Sequence, residues 1–215
     1  MKFTNLDFVK EMGLNDSYFV NNCILPRRNL YGQIDDMEKN FMFNFLRYNV
    51  KPKIITEYST STGYSAIVIC NSLKSINIKH DLFLTYEIDP RIAKTAMNHL
   101  NMFECAVTLI QGDVFQTMNY DVLKRSEFVF VDSEHTKEFC AEYIEKFFPH
   151  IKKGCIVAVH DSQFYPDGTP QNGETDLIAQ FIKENNIKDH LFVPDLLDLY
   201  NIKNTEVNGT IWFRR

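Results

Sequence analysis

The stretch EYSTSTGYS, Glu57–Ser65, follows the run Lys53–Thr56 and leads into an apolar run that begins at Tyr64. A strand that turns directly into a helix fits this junction, and it decides the fold class, because strand–turn–helix units assemble into parallel sheets. Gly63 permits close backbone approach, and the small Ser59, Thr60, Ser61 and Thr62 let a ligand sit against the main chain while offering hydroxyl donors. The following helix presents free N–H groups at its first turn, suited to a carboxylate or phosphate. Taken alone, the turn is equally well a purely structural connection.

Outward from it, short β-branched or aromatic runs alternate with helical patterns. The spacing predicts strands at Lys53–Thr56, Leu82–Glu87, Val107–Gln111, Phe128–Asp132, Cys155–His160, Leu191–Val193 and Thr210–Arg214. Helices are predicted at Tyr64–Leu73, Pro90–Leu100, Lys137–Phe148 and Asp176–Asn185, with Pro90 at a first helical turn, where a missing N–H costs nothing. Between the last two strands the sequence is too polar and broken for a crossover helix, which predicts a hairpin-like return and an antiparallel final strand. The fold class expected is therefore α/β: a Rossmann-like, seven-stranded, mostly parallel sheet with helices on both faces. Residues 1–50 read as an N-terminal helical cover, with helices at Phe3–Met12 and Asp35–Tyr48, and residues 51–215 as the ligand-binding domain. Phe41, Phe45, Phe139, Phe147 and Phe148, at helical spacing, read as core packing.

The chain has 215 residues, 45% of them hydrophobic and 13% aromatic, enough to form one large core. Its net charge of -5 disfavours a general phosphate-backbone binder, and Arg27-Arg28 and Lys152-Lys153 read as solvated surface pairs. The odd number of widely spaced cysteines, Cys23, Cys70, Cys105, Cys140 and Cys155, gives no disulfide framework or metal knuckle, so they read as core thiols of a reducing compartment. No apolar run is long enough to span a bilayer and the first residues lack a signal-peptide core, so a cytoplasmic protein is expected.

In an open parallel sheet, ligands bind beyond the carboxyl ends of the strands, and acids stand there in series: Glu57, Glu87, Asp113, Asp132 and His160-Asp161. Glu87 is placed to accept two hydrogen bonds from ribose hydroxyls, or is a surface acid at a strand end. Asp113 is placed to accept from an exocyclic amine, with Val114 and Phe115 beside the base, or it caps a helix. Asp132 and Asp161 lie on neighbouring strands in the usual order. Their carboxylates could converge on one divalent cation, with His160 or water completing the shell; hard oxygen ligands favour Mg²⁺ over Zn²⁺. His135 and His160 are the histidines next to this cluster, either of which could take a hydroxyl proton at neutral pH, or each could be a neighbour of a cap. The loop Tyr165–Thr175, with two prolines and two glycines, reads as a lid or as an ordinary surface loop.

The ordered set resembles the class I S-adenosylmethionine-dependent O-methyltransferases. EYSTSTGYSA is similar to the E-I-G-T-x-T-G-Y-S motif of the caffeoyl-CoA and catechol type, and VDSEH with VHDS resembles the macrocin and cephalosporin-hydroxylase-like branch, over about residues 53–161. The resemblance implies a cofactor pocket for S-adenosylmethionine from Glu57, Ser59, Ser61, Gly63, Ser65, Glu87, Asp113, Val114 and Asp132. It implies metal ligands, Mg²⁺ among the candidates, at Asp132, His160 and Asp161, and catalytic residues at His135, His160 and Asp161. Ser59 stands where the family motif has its first glycine, and His160 where the macrocin-like branch has a carboxylate.

The function expected is methyl transfer to a hydroxyl of a small molecule or sugar, without nucleic acid or membrane as partner; a homodimer is compatible with it. Two rivals remain open. An NAD-type oxidoreductase shares the strand–turn–helix and the acid after the second strand, but should carry G-x-G-x-x-G, and this turn has Gly63 alone. A catalytically inactive methyltransferase-like binding or scaffold protein fits the substitutions at Ser59 and His160.

Overall fold

A computed structural model describes residues 3–23, 34–132, 134–165, 168–203 and 209–215; the Arg27-Arg28 pair lies outside them. The strands are β1 Ile54–Tyr58, β2 Leu82–Glu87, β3 Thr108–Gln111, β4 Phe128–Val131, β5 Ile156–Ser162, β6 His190–Phe192 and β7 Gly209–Arg214. They form one sheet in the order β3-β2-β1-β4-β5-β7-β6. β7 is antiparallel to both of its neighbours, and the pairings among β1 to β5 are parallel. The expected class and the antiparallel last strand are thus observed.

The helices are α1 Leu6–Glu11, α2 Asp36–Phe45, α3 Tyr64–Lys74, α4 Pro90–Met102, α5 Val114–Thr117, α6 Tyr120–Leu123, α7 Lys137–Lys146, α8 Gly173–Glu184 and α9 Val193–Leu199. Side chains of a strand alternate between faces, and here both faces are dry. Phe128, Phe130, Ile156 and Ala158 face a layer with α2 and α3, whereas Val129, Val131, Val157 and Val159 face α7 and α8. Trp212 of β7 lies against Phe128 with ring centroids 5.5 Å apart and meets Phe41 and Phe45 of α2 edge-on at 5.6 and 5.2 Å. These contacts tie the N-terminal segment to the sheet. The five cysteines are free and buried. Among the described residues no helix is long and apolar enough to cross a membrane.

One connection differs from expectation. The segment between β6 and β7 contains α9, whose Pro194 sits in its first turn and whose Val193, Leu196 and Leu197 are buried in the core. Asp198 faces outward while Asp195 is buried, so a short helix forms within the hairpin-like return, where no helix was expected. Next to it the N-terminal residues shield the edge strand: Asn5 N donates to His190 O at 3.0 Å, and Phe192 N to Thr4 Oγ1 at 2.9 Å. Asp195 takes the N–H groups of Phe3 and Thr4 at 3.0 and 2.9 Å. An exposed strand edge invites pairing with other chains, and this edge is covered.

Candidate active site

The turn after β1 is built on a buried acid. Glu57 lies within β1, one residue before its end, rather than after it. It is fully buried: its Oε1 accepts from Ser65 Oγ and its Oε2 from Thr85 Oγ1, both at 2.6 Å. Burial pushes its carboxyl up to about 7, against the pull of those two hydroxyls and with a smaller push from Asp132. Glu57 and Ser65 therefore brace the turn from below. Above them Ser61 N donates to Glu87 Oε2 at 2.9 Å, and Asp89 N donates to Glu87 Oε1 at 3.0 Å. Gly63 ends the turn at φ +88°, a left-handed conformation that glycine adopts without a Cβ penalty, and it lies against Ala96 and Leu100 of α4.

Ser59 and Ser61 also hold left-handed conformations, at φ +67° and +47°. A side chain in that region costs roughly 1–2 kcal/mol, while a glycine there costs roughly 0.5–1 kcal/mol in extra chain entropy. The steric term is the larger. Ser59→Gly is therefore expected to stabilise the ligand-free protein by about 0.5–1 kcal/mol, seen as a higher denaturation midpoint in urea. An unchanged or lower midpoint would show that the serine relieves its own strain.

Ser59, Tyr86, Glu87, Ile88, Gly112, Asp113, Val114, Glu134 and Phe139 line one cleft at the carboxyl ends of β1, β2 and β3. Four of the sequence-selected residues, Ser59, Glu87, Asp113 and Val114, thus meet. Asp113 caps α5 by accepting from Phe115 N at 2.9 Å, and it stands in the cleft wall as well, so both of its readings describe it. Phe139, read as core, is only partly buried and is a cleft wall. Ile88 is 65% exposed there, an apolar side chain that the sequence reading passed over. A carboxylate beside apolar walls suits a ligand with hydroxyls next to a flat ring.

A second cluster forms beyond β4 and β5. The β5–β7 ladder slips between Val159 and Ser162, and Asp161 is left-handed at φ +53°. Successive strand side chains normally point to opposite faces; the bulge turns His160 and Asp161 toward the same place. Asp161 Oδ1 lies 3.4 Å from His160 Nδ1, which is 3.1 Å from Asp132 Oδ1. His160 is buried, and its Nε2 lies 2.8 Å from Glu38 Oε2 of α2, so both ring nitrogens are engaged. Glu38 also accepts from Thr210 Oγ1 at 3.0 Å.

His135 occupies the mouth. Its Nε2 is 3.2 Å from Asp161 Oδ2 and 3.6 Å from Asp132 Oδ1, and its Nδ1 is 2.7 Å from Glu174 Oε2. Glu174, in the first turn of α8, is buried and accepts from Tyr143 OH at 2.9 Å. The close approach of α8 to α7 is possible because Gly173 has no Cβ, which would lie 2.7 Å from Lys137 Cβ. Burial favours the neutral form of both imidazoles, yet their carboxylate partners outweigh it: His135 is pushed up to about 10 and His160 well above its ordinary range. Burial raises Glu38, its partner. An imidazole so held at His135 carries its proton at neutral pH, between Asp161 and Glu174. Asp132, His135 and Asp161 have ligand atoms all within 4.8 Å of one another. His160, expected among the ligands, is one layer deeper.

Sequence reasoning missed Glu38 and Glu174. Asp35 caps α2 by accepting from Met37 and Glu38 N–H groups, a capping pattern that hides the contact of the buried Glu38 with His160. For Glu174 a signal existed: Asn172, which accepts from Thr175 N at 2.7 Å, starts α8 three residues before the predicted Asp176. The preceding loop is pinned to the site, since Gln163 N donates to Thr175 Oγ1 at 2.9 Å.

Residues 57–162 match the family model described as a methyltransferase domain. The fold is that of the class I methyltransferases. Solved structures agree on the fold. A Staphylococcus aureus protein named as a caffeoyl-CoA O-methyltransferase is 16% identical with TM-score 0.60, covering 86% of each chain. An O-methyltransferase from Bacillus cereus, in complex with S-adenosylhomocysteine, is 13% identical with TM-score 0.56, over 97% of this chain and 91% of its own. The O-methyltransferase of tomaymycin synthesis from Streptomyces achromogenes, in complex with S-adenosylmethionine, is 15% identical with TM-score 0.52, over 97% of this chain and 86% of its own. No curated protein matches by sequence. In this fold the cleft at Glu87 and the cluster at Asp132 open from the same end of the sheet.

Proposed function

We propose that the protein transfers a methyl group from S-adenosylmethionine to a hydroxyl oxygen of a small molecule or sugar. The observation that carries this is the placement of the Glu87–Asp113 cleft beside the Asp132–His135–Asp161 cluster at the carboxyl ends of adjoining strands. The bound cofactor supplies an electrophilic methyl on a sulfonium centre, so the protein mainly aligns reactants and manages one proton.

Each residue then has a physical task. Glu87 accepts from the ribose hydroxyls, Val114, Ile88 and Phe139 enclose the base, and Asp113 accepts from its amine. Glu57, Ser65 and Thr85 hold the turn that carries Ser59 and Ser61. The acceptor's hydroxyl proton passes to the aspartate pair, whose oxygens His135 and His160 fix by hydrogen bonding. A divalent cation held by Asp132 and Asp161 would supply charge that lowers the hydroxyl pKa. Imidazole and carboxylate donors grouped at one mouth fit such an ion.

Two measurements test this. Calorimetric titration should show S-adenosylhomocysteine binding and no NAD binding; the reverse would favour the oxidoreductase. Incubation with methyl-labelled S-adenosylmethionine and a cell extract should place label in the small-molecule fraction. Cofactor binding without transfer to any fraction would instead support a binding or scaffold protein.

A further inference from the structure

The end of the sheet opposite the cleft carries a concentration of positive charge that methyl transfer does not use. We propose that a basic groove at the amino ends of β1, β4 and β5 binds a compact multivalent phosphate chain, with Lys51, Lys53 and Lys153 as its contacts. The inference goes beyond the methyltransferase reading and does not depend on it.

The groove has a volume of about 600 Å³, and Lys51, Lys53, Lys152, Lys153 and Arg214 line it together with one acid, Glu127. The chain as a whole has a net charge of -5. Internal pairing accounts for part of the positive charge. Arg214 is matched by Asp189 Oδ2 at 2.9 Å and Glu11 Oε1 at 3.1 Å, and Lys152 Nζ lies 3.6 Å from Glu127 Oε1. Lys53 Nζ donates to a neutral acceptor, Lys79 O, at 2.8 Å. Among the described residues no carboxylate pairs with the ammonium groups of Lys51, Lys53 or Lys153. Three charges thus line one concavity uncompensated, and they repel one another until an anion enters.

The backbone sets these charges in place. Adjacent strands lie about 4.8 Å apart, so the lysines before β1 and those before β5, two strands away across β4, start about 10 Å apart and reach one phosphate chain. Lys51 is left-handed at φ +49°, a conformation that penalises a lysine and not a glycine, and its N donates to Leu46 O at 2.7 Å. Lys152 to Cys155 form a tight turn, closed by Cys155 N donating to Lys152 O at 3.3 Å, with Gly154 at φ +86° in the position that favours glycine. The main-chain N–H groups of Lys53 and Gly154 already donate to Glu127 Oε2 and Arg215 O, both at 2.6 Å, so a ligand is held by side-chain charge.

Size and lining select the ligand. The volume falls within the range of small-molecule sites, and no aromatic side chain lines the groove, so nucleobases have no platform on which to stack. A long nucleic acid would also meet the negative charge of the rest of the protein. The recognised part is therefore the phosphate chain, free or attached to a nucleoside.

The experiment is calorimetric titration of the full chain with sodium triphosphate, with orthophosphate, ATP and a single-stranded oligonucleotide as comparison probes. One triphosphate is expected to bind per chain, at least about tenfold more tightly than orthophosphate, with an affinity that falls as NaCl is raised from about 0.05 to 0.3 M. Lys51→Gln and Lys153→Gln should each lose at least about fivefold in affinity, and the double variant at least about 20-fold. Lys94→Gln, which removes a lysine of α4, should stay within about twofold of the parent. All three lysines are exposed, so the variants should keep the parent's thermal midpoint. Saturating S-adenosylhomocysteine should leave triphosphate affinity unchanged, because the cofactor cleft lies at the other end of the sheet. ATP, titrated with S-adenosylhomocysteine present, separates the two sources: affinity equal to that of triphosphate points to a free phosphate chain, and a higher affinity that Lys51→Gln lowers points to a nucleotide. Triphosphate binding weaker than about 1 mM, an equal loss in Lys94→Gln, displacement by S-adenosylhomocysteine, or tighter binding of the oligonucleotide through the same lysines would overturn the proposal.

Discussion

Asp161→Asn is expected to lower methyl transfer by about 10²-fold while leaving the affinity for S-adenosylhomocysteine within threefold. The carboxylate belongs to the proton-handling cluster, 3.2 Å from His135 Nε2 and 3.4 Å from His160 Nδ1, and it does not line the cofactor cleft. Positioned proton transfer contributes roughly 10²–10⁴-fold, and an amide retains hydrogen-bonding capacity while losing the charge, which sets the lower end. Asparagine is the right replacement because the residue is left-handed at φ +53°, and asparagine tolerates that conformation where alanine adds strain. Label transfer to the small-molecule fraction gives the rate, and calorimetry gives the affinity. Turnover within threefold of the parent would remove Asp161 from the chemistry.

Glu87→Ala should weaken S-adenosylhomocysteine binding by at least 10²-fold. Hydrogen bonds to a charged group contribute roughly 1.5–3 kcal/mol each, so two bonds to ribose hydroxyls amount to at least about 3 kcal/mol, or roughly 10²-fold. The same carboxylate holds Ser61 N and Asp89 N in the ligand-free protein, so alanine also loosens the turn. Glu87→Gln separates the effects, because it keeps a carbonyl oxygen for one of these donors. It is expected to lose roughly tenfold in affinity with little change in thermal midpoint. If the alanine variant binds as tightly as the parent, Glu87 has no part in holding the cofactor.

The sheet was legible because β4 and β5 are near-continuous apolar runs buried on both sides, and such runs carry their own signal. The cleft was legible for a related reason, since strand ends bring Ser59, Glu87, Asp113 and Val114 to one edge in chain order. The second cluster was only half legible. Its depth depends on a bulge at His160-Asp161, on a loop that swings His135 outward, and on two glutamates donated by helices far away in sequence. None of these has a local pattern. Glu38 falls within a predicted helix and Glu174 within a predicted loop, so the exchange of places between His135 and His160 could not be foreseen. α9 was missed because its polar positions masked a short apolar stripe.

The insertion of β7 between β5 and β6 also bears on how the chain assembles. β2 through β5 each pair with a neighbour already present when the strand appears, but β6 bonds within the sheet only to β7, which follows it in sequence. During synthesis from the ribosome, the half carrying β1 to β5 could thus condense early, while residues 190–192 wait for residues 209–214 to come alongside β5. Closing that non-local pairing is the slow kind of step in folding. Thr4 and Asn5, made first and bonded to the outer edge of β6, leave only its inner edge to await β7.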